Sequence, residues 1–410
     1  MRILHTADWH LCDRLGRQDR TDDLRRAVER VALYCKEERV DVLLVAGDLF
    51  SELAGPDALR DAIRHLQEVF QGFLRDGGTI LTLTGNHDKE SFCQTLRHAM
   101  SLAAPFTGHP GEMAPAGRLY LATGPTLLRL ADRSACSQYQ FVLMPYPTPT
   151  RYLLDAPAQK YQGLDEKNRH LMTAYTEKLH EIRESEAFDP SLQTVLSAHI
   201  TVRGSELPTL FRLTEQEDVV FSDADLPAEF AYIGLGHIHK PQCLQGRANV
   251  RYSGSIERMD LGESPDTKGV VLFDLTPEGL AAEPQVLPLD ATAIYEVVVR
   301  NPQTDLPDLR KRYPDAKRDL VRLELTYTAG VDNREETLRQ LEEIFPRWYD
   351  RTITESGSLG PTLVVGEAAR AKSFEDTVRD YLMQELTNHP DAVRDAVLRR
   401  AEELMREVQA

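Results

Sequence analysis

Short apolar runs alternate with helical periodicity over the first 90 residues. Residues 2–6 read as a strand, and 22–38 as a helix with Leu24, Ala27, Val28, Val31 and Ala32 on one face. Residues 41–46 predict a buried strand, 57–74 a second helix and 79–84 a third strand. Repeated strand–helix–strand is the pattern of a layered α/β domain. In such domains functional residues gather on loops just past the carboxyl ends of strands. Asp8, Gly47-Asp48 and Gly85-Asn86-His87-Asp88 each follow one of these strands.

Further along, 141–147 predicts a strand ending in a proline-rich loop, and 165–184 a polar helix. Strands are expected at 194–197, 230–235, 250–253 and 269–275. A composition shift over 284–290 marks a boundary. Beyond it lies a small α+β unit without histidine, with strands at 294–299, 320–328 and 348–354 and a helix at 335–344. Near the end of the chain, Phe374, Val378, Tyr381, Leu382 and Leu386 fall on one helical face. Val393, Val397, Ala401, Leu404 and Val408 fall on another, with Asn388-His389-Pro390 as the breaker between. The expected division is therefore 1–287, 288–370 and 371–410.

Composition narrows the classes. With 41% hydrophobic and 28% charged residues, the chain is neither disordered nor fibrous. Its 65 Asp and Glu against 48 Lys and Arg give a net charge of −17, so its mean field repels phosphate. A polyanion must then be met by a local positive site, a bound cation or a partner. No run approaches the roughly 18 apolar residues of a membrane span, and the first residues lack a secretory h-region. The five cysteines are odd in number, scattered and without a Cys-x-x-Cys pair, against a disulfide framework or a zinc ribbon. A cytoplasmic protein is expected.

The candidate chemistry lies in five punctuated motifs: Asp8-Trp9-His10, Gly47-Asp48, Gly85-Asn86-His87-Asp88, Ser197-Ala198-His199 and Gly236-His237-Ile238-His239. Gly-His-x-His alone arises by chance roughly 0.02 times in a chain of this composition. The other motifs are individually weak, and their common order after apolar runs carries the signal. Alternation along an extended loop would project Asp8 and His10 to one side, and His237 and His239 likewise. Asp48 offers two oxygens, one for each of two cations, and Asn86 adds a neutral carbonyl. Imidazole, carboxylate and amide without thiolate favour Mn, Fe or Zn over a pure oxygen cage. Two neighbouring cations suit an in-line displacement at phosphorus. Isolated histidines (His5, His65, His98, His109, His170, His180 and His389) read as ordinary core or surface residues.

These motifs resemble the calcineurin-like metallophosphoesterase superfamily and, within it, its double-strand-break repair nucleases. The narrower resemblance rests on Asp8-Trp-His-Leu11, Val45-Ala-Gly-Asp-Leu-Phe50, Met144-Pro-Tyr-Pro147, Gly236-His-Ile-His-Lys-Pro-Gln242, Tyr252-Ser-Gly-Ser255 and Lys268-Gly-Val-Val271. It covers about residues 1–285 well. It implies a layered β-sandwich flanked by helices, a small capping domain and a C-terminal helical pair that docks on a coiled-coil ATPase partner. One ion, expected to be Mn²⁺, would be held by Asp8, His10, Asp48 and His239, and a second by Asp48, Asn86, His199 and His237. His87 would protonate the leaving oxygen, with Asp88 orienting it. The activities implied are 3′→5′ exonuclease on duplex ends and endonuclease on single strands or hairpins, with a homodimer inside a heterotetramer. Two positions depart from the family: Ser51 stands where many relatives have histidine, and Cys12 where glycine is common.

Arg14, Arg17, Lys240 and Arg258 are the candidate contacts to a nucleic-acid backbone, although Asp13, Asp19, Asp22 and Asp23 interleave with the first two. Two other functions compete: a phosphatase or phosphodiesterase on small molecules, and a non-catalytic scaffold for the ATPase. The complete ligand set argues against the scaffold, and the lack of a Gly-x-x-x-x-Gly-Lys-Ser/Thr loop against an ATPase activity of the chain's own.

Overall fold

The computed structural model describes residues 1–105, 112–133, 135–153, 161–206, 218–244, 246–313, 315–356, 382–383 and 397–401. The chain forms two compact units, Met1–Glu355 and Ser356–Ala410. In the second unit the described residues are helical beyond Ser356. Most of the expected helical pair, Phe374 to Leu386 and Val393 to Val408, lies outside the described residues.

Two β-sheets face one another in the first unit. One runs Gly279–Leu280, Gly269–Thr276, Arg2–Thr6, Val42–Val45, Thr79–Leu83, Leu119–Ala122, with Gln285–Pro288 also paired to Gly269–Thr276. The other runs Gln242–Leu244, Arg247–Tyr252, Tyr232–Gly236, Thr194–His199, Gln138–Met144, Thr126–Ala131. Side chains alternate across each sheet, so each sheet fills two cores. Ile3, Val42, Leu44 and Leu81 meet Phe141, Leu143, Val195 and Tyr232 between the sheets. The opposite faces take helices. Leu4, Leu43 and Val45 pack on Leu24, Val28 and Val31 of Thr21–Glu37 and on Leu59 and Phe70 of Pro56–Arg75. Val142, Leu196 and Ile233 pack on Leu171, Tyr175 and Leu179 of Leu164–Glu184. The result is the expected helix-flanked sandwich.

Strand direction places the site. Arg2–Thr6, Val42–Val45 and Thr79–Leu83 are parallel, as are Gln138–Met144, Thr194–His199, Tyr232–Gly236 and Arg247–Tyr252. All five motifs therefore leave carboxyl ends of parallel strands.

The region 284–290 is not a linker at its start. Gln285–Pro288 is a strand of the first sheet, with Gly269 opposite Pro288 and Val271 opposite Val286. After it, Ile294–Val299, Leu320–Thr328 and Trp348–Ser356 form a three-stranded sheet backed by helices Pro302–Arg312 and Arg334–Ile344. The first helix is absent from the sequence reading because Pro307 sits inside it and few of its side chains are apolar. A buried ion network ties this sheet to the sandwich. Arg20, only 1% exposed, donates to Asp23 at 2.7 Å and to Glu257 at 3.0 Å, and Arg347 pairs with Asp23 from the other side. Among the described residues no helix is long and apolar enough to cross a membrane.

Candidate metal centre

The loops after Thr6 and Val45 are zipped together by their backbones. Trp9 and His10 donate to the Asp48 carbonyl at 2.8 and 3.0 Å, and Leu11 donates to that of Leu49 at 2.9 Å. Trp9 is buried behind them, its indole bonded to the Thr6 hydroxyl at 3.0 Å and stacked on Phe70. This pairing bends the chain rather than extending it. Asp8, His10, Asp48 and His237 have φ of 52°, 43°, 51° and 92°, in the left-handed region costly for side chains other than glycine. Alternation along an extended loop is therefore the wrong reason for the convergence of Asp8 and His10, although they do converge. Cys12 has φ 71°, which accounts for glycine being the easier residue there. Its half-buried thiol lies 3.3 Å from the Ala58 carbonyl, and burial raises its pKa.

Seven expected ligands come together. Ligand atoms of Asp8, His10 and His239 lie within 4.8 Å of one another, as do those of Asp8, Asp48 and His199. Asn86 Oδ1 is 2.9 Å from both His199 Nε2 and His237 Nδ1. His10 Nε2 is 3.1 Å from His239 Nε2 and 3.8 Å from Asp48 Oδ2, and His199 Nε2 is 3.3 Å from the same oxygen. Close packing of strands makes this possible: a methyl group at Gly85 would collide with the Asp48 carboxylate.

The hydrogen bonds at the back of the cage settle which atoms face inward. His199 Nδ1 lies 2.8 Å from the Ala46 carbonyl, which can only accept, so Nδ1 carries the hydrogen and Nε2 turns a lone pair inward. His239 Nδ1 likewise donates to Glu263 at 2.8 Å. Imidazole lone pairs and carboxylate oxygens thus face one another across buried space, which is unfavourable without a positive charge between them. Without a cation, a proton on His199 can meet this need. Burial opposes a charge on His199, yet Asp48 and Asp8 raise it to about 9. Burial pushes His10 down to about 3 against the pull of Asp48, and burial raises Asp8. Asp48 is held below the usual carboxylate range by His199 and His10 despite its burial. A donor set of imidazoles, carboxylates and an amide oxygen fits divalent transition-metal cations.

The other expected site residues divide. His87 is one-third exposed, its ring 5.0 Å from that of His10, and its ligand nitrogen belongs to a cluster with His10 and Asp48. Asp88 does not orient it. The Asp88 carboxylate turns away to accept from the amides of Gly85 at 2.8 Å, Phe50 at 3.0 Å and Leu49 at 3.3 Å, fixing the Asp48 loop. Burial, with Asp48 adding to it, pushes Asp88 up to about 7. The charged group nearest His87 Nδ1 is instead Glu52, at 3.7 Å. Ser51 bonds Asp13 at 2.7 Å, so no second imidazole reaches the site from this position.

Arg258 is not available to a ligand. Its guanidinium donates to the carbonyls of Asp266 at 2.7 Å, Ala291 at 3.0 Å and Thr292 at 3.1 Å. Arg14 and Arg17 are exposed, with Arg17 stacked 4.0 Å over Trp348, and Lys240 pairs with Glu206 near the surface. Arg151, absent from the sequence reading, is buried and donates to the Gly85 carbonyl at 3.1 Å and to Glu90 at 2.6 Å. Two further carboxylates went unread, Asp218 and Glu263, which accept from His237 and His239 at 2.8 Å each. Neither stands within a motif, and only the fold brings them there.

The family model for calcineurin-like phosphoesterase matches residues 1–241, more than half of the 410-residue chain. The chain belongs to the calcineurin-like phosphoesterases. Within that family it is similar to SbcD components: it is 29% identical over 295 residues to the SbcD component of the SbcCD nuclease of Bacillus subtilis (strain 168), covering 70% of this chain and 69% of that one. The SbcD component from Rhodobacter capsulatus is 28% identical over 295 residues, at 70% and 69% coverage. That from Escherichia coli (strain K12) is 28% identical over 284 residues, at 66% and 64%.

Proposed function

We propose that the chain is a two-metal-dependent DNA nuclease that hydrolyses phosphodiester bonds. The reading extends to 3′→5′ exonuclease activity on duplex ends and endonuclease activity on single strands or hairpins, in DNA repair and recombination in the cytoplasm. Mn²⁺ is the expected metal. A coiled-coil ATPase would dock on the C-terminal helices (371–410), which follow a capping domain (288–370) in the sequence, within a heterotetramer built on a homodimer. The names of the similar proteins support the nuclease and its assembly with a second component. The observation that carries the metal chemistry is Asp48, whose carboxylate belongs both to the cluster with Asp8 and His199 and to that with His10 and His87.

Asp8, His10, Asp48 and His239 would hold one cation, and Asp48, Asn86, His199 and His237 the other. When bound, the pair would supply Lewis-acid polarisation of the phosphoryl oxygen and offset the negative charge of in-line displacement. His87, partly exposed at the rim, gives its proton to the leaving oxygen as the phosphorus–oxygen bond breaks and water adds to phosphorus. Asp88 and Arg151 hold the loop that carries Asn86 and His87. Exposed Arg14 and Arg17, with the half-buried Lys240 once it leaves Glu206, remain the basic contacts for a DNA backbone. At a net charge of −17 they cannot by themselves provide tight binding.

The test is a linear-duplex and a plasmid degradation assay beside a nitrophenyl phosphodiester assay, each with Mn²⁺ and with chelator. Metal-dependent loss of DNA supports the reading. Hydrolysis of the small diester with DNA left intact contradicts it and favours a small-molecule phosphodiesterase.

A further inference from the structure

Each proposed cation has one imidazole whose far nitrogen rests on a buried carboxylate outside the ligand set, and the two carboxylates are held in different ways. Glu263 is wholly buried and accepts from His239 Nδ1 at 2.8 Å, from Ser255 Oγ at 3.1 Å and from the Met259 amide at 3.2 Å. It also meets the buried ammonium of Lys268 at 2.6 Å, which in turn bonds the His239 carbonyl at 2.8 Å. Lys268, which also meets Asp266 at 3.3 Å, offsets part of its charge. Asp218, 3% exposed, meets His237 Nε2 at 2.8 Å and, among the described residues, otherwise only neutral donors: the Thr201 hydroxyl at 2.5 Å, the Tyr146 hydroxyl at 2.8 Å and the Val219 amide at 2.8 Å. The Tyr146 ring lies against His237 and His199, with centroids 5.4 and 6.1 Å away.

The ligand sets differ in charge in the complementary sense. In the assignment proposed above the first takes Asp8 and shares Asp48, and Asp8 also lies within 4.8 Å of ligand atoms of Asp48 and His199. The second shares Asp48 and otherwise offers only Asn86, His199 and His237, all neutral when they coordinate. A divalent cation there is under-neutralised by its ligands. A carboxylate behind a coordinating imidazole raises its basicity and passes negative charge toward the ion.

Resting on the two-metal reading above, we propose that Asp218 is the positioning residue that completes the charge of the second site by orienting and polarising His237. Glu263 does the same more weakly for His239, because Lys268 offsets part of its charge. Tyr146 and Thr201 fix the Asp218 oxygens so that its charge points along the His237 Nε2–H bond.

Calorimetric titration of Mn²⁺ into the metal-free full chain tests this, with thermal unfolding of each metal-free variant as a control. Wild type is expected to take two ions. In Asp218→Asn one of them weakens by about 10–100-fold, the scale typical of such outer partners, while the other stays within about threefold. Glu263→Gln is expected to weaken the other ion by less than Asp218→Asn weakens its own. Should Asp218→Asn fail to fold, Tyr146→Phe keeps the charge, removes one donor and weakens the same ion by a few-fold. Two ions bound with unchanged affinity in Asp218→Asn, or in Tyr146→Phe where it replaces that variant, overturn the inference, as does equal weakening of both ions in either. Wild type that binds fewer than two ions overturns the two-metal reading itself, and this inference with it.

Discussion

Asp48→Asn is expected to lower phosphodiester hydrolysis by at least about 10³-fold and to abolish high-affinity binding of both cations, measured by turnover and by metal titration of the same sample. The magnitude follows from position. Asp48 is 1% exposed, and its Oδ2 lies 3.3 Å from His199 and 3.8 Å from His10, on the two sides of the cage. Among the described residues Asp8 also belongs to clusters on both sides, with His10 and His239 and with Asp48 and His199. Asparagine keeps the size and can still accept from the His87 amide, which bonds Asp48 Oδ1 at 2.9 Å, so the loop should hold its shape. The charge that two cations would share is lost. Loss of only one ion, with the other bound as before, would mean that Asp48 does not bridge.

His87→Gln is expected to behave in the opposite way: hydrolysis falls by about 10²–10⁴-fold, the usual worth of a positioned general acid, while both cations still bind. Among the described residues His87 has no buried hydrogen-bond partner that fixes it as a ligand, and its side chain is 33% exposed. Its nitrogen nevertheless comes within 4.8 Å of ligand atoms of His10 and Asp48. The variant therefore discriminates. A fall in rate with metal content preserved assigns proton transfer, whereas a lost ion makes His87 a ligand.

Strand and helix positions in the first 90 residues could be read from periodicity because both sheets are buried on two faces and their helices present a single apolar stripe. Thr21–Glu37, for example, buries Leu24, Val28 and Val31 just as their spacing predicts. Reading fails where packing is weaker or borrowed. Helix Glu90–Ala103 buries only Cys93 fully, and Pro302–Arg312 carries an internal proline. The ligand positions were legible because loops after parallel strands are short, leaving each motif close to a strand end. How they converge was not, since Asp8, His10 and Asp48 depend on left-handed backbone held by cross-loop amides. Asp88 was misread because sequence adjacency to His87 says nothing about where its carboxylate turns. Asp218 and Glu263 gave no signal at all: they lie 19 and 24 residues from the imidazoles they support, and only tertiary packing joins them.

The most direct measurement is anomalous diffraction at the manganese edge from crystals of the full chain grown with Mn²⁺. Two peaks are expected about 3.5–4 Å apart, each within coordinating distance of the Asp48 carboxylate. A single peak, or two peaks that do not share Asp48, would contradict a bridged pair of cations and leave the chemistry of this centre to be sought elsewhere.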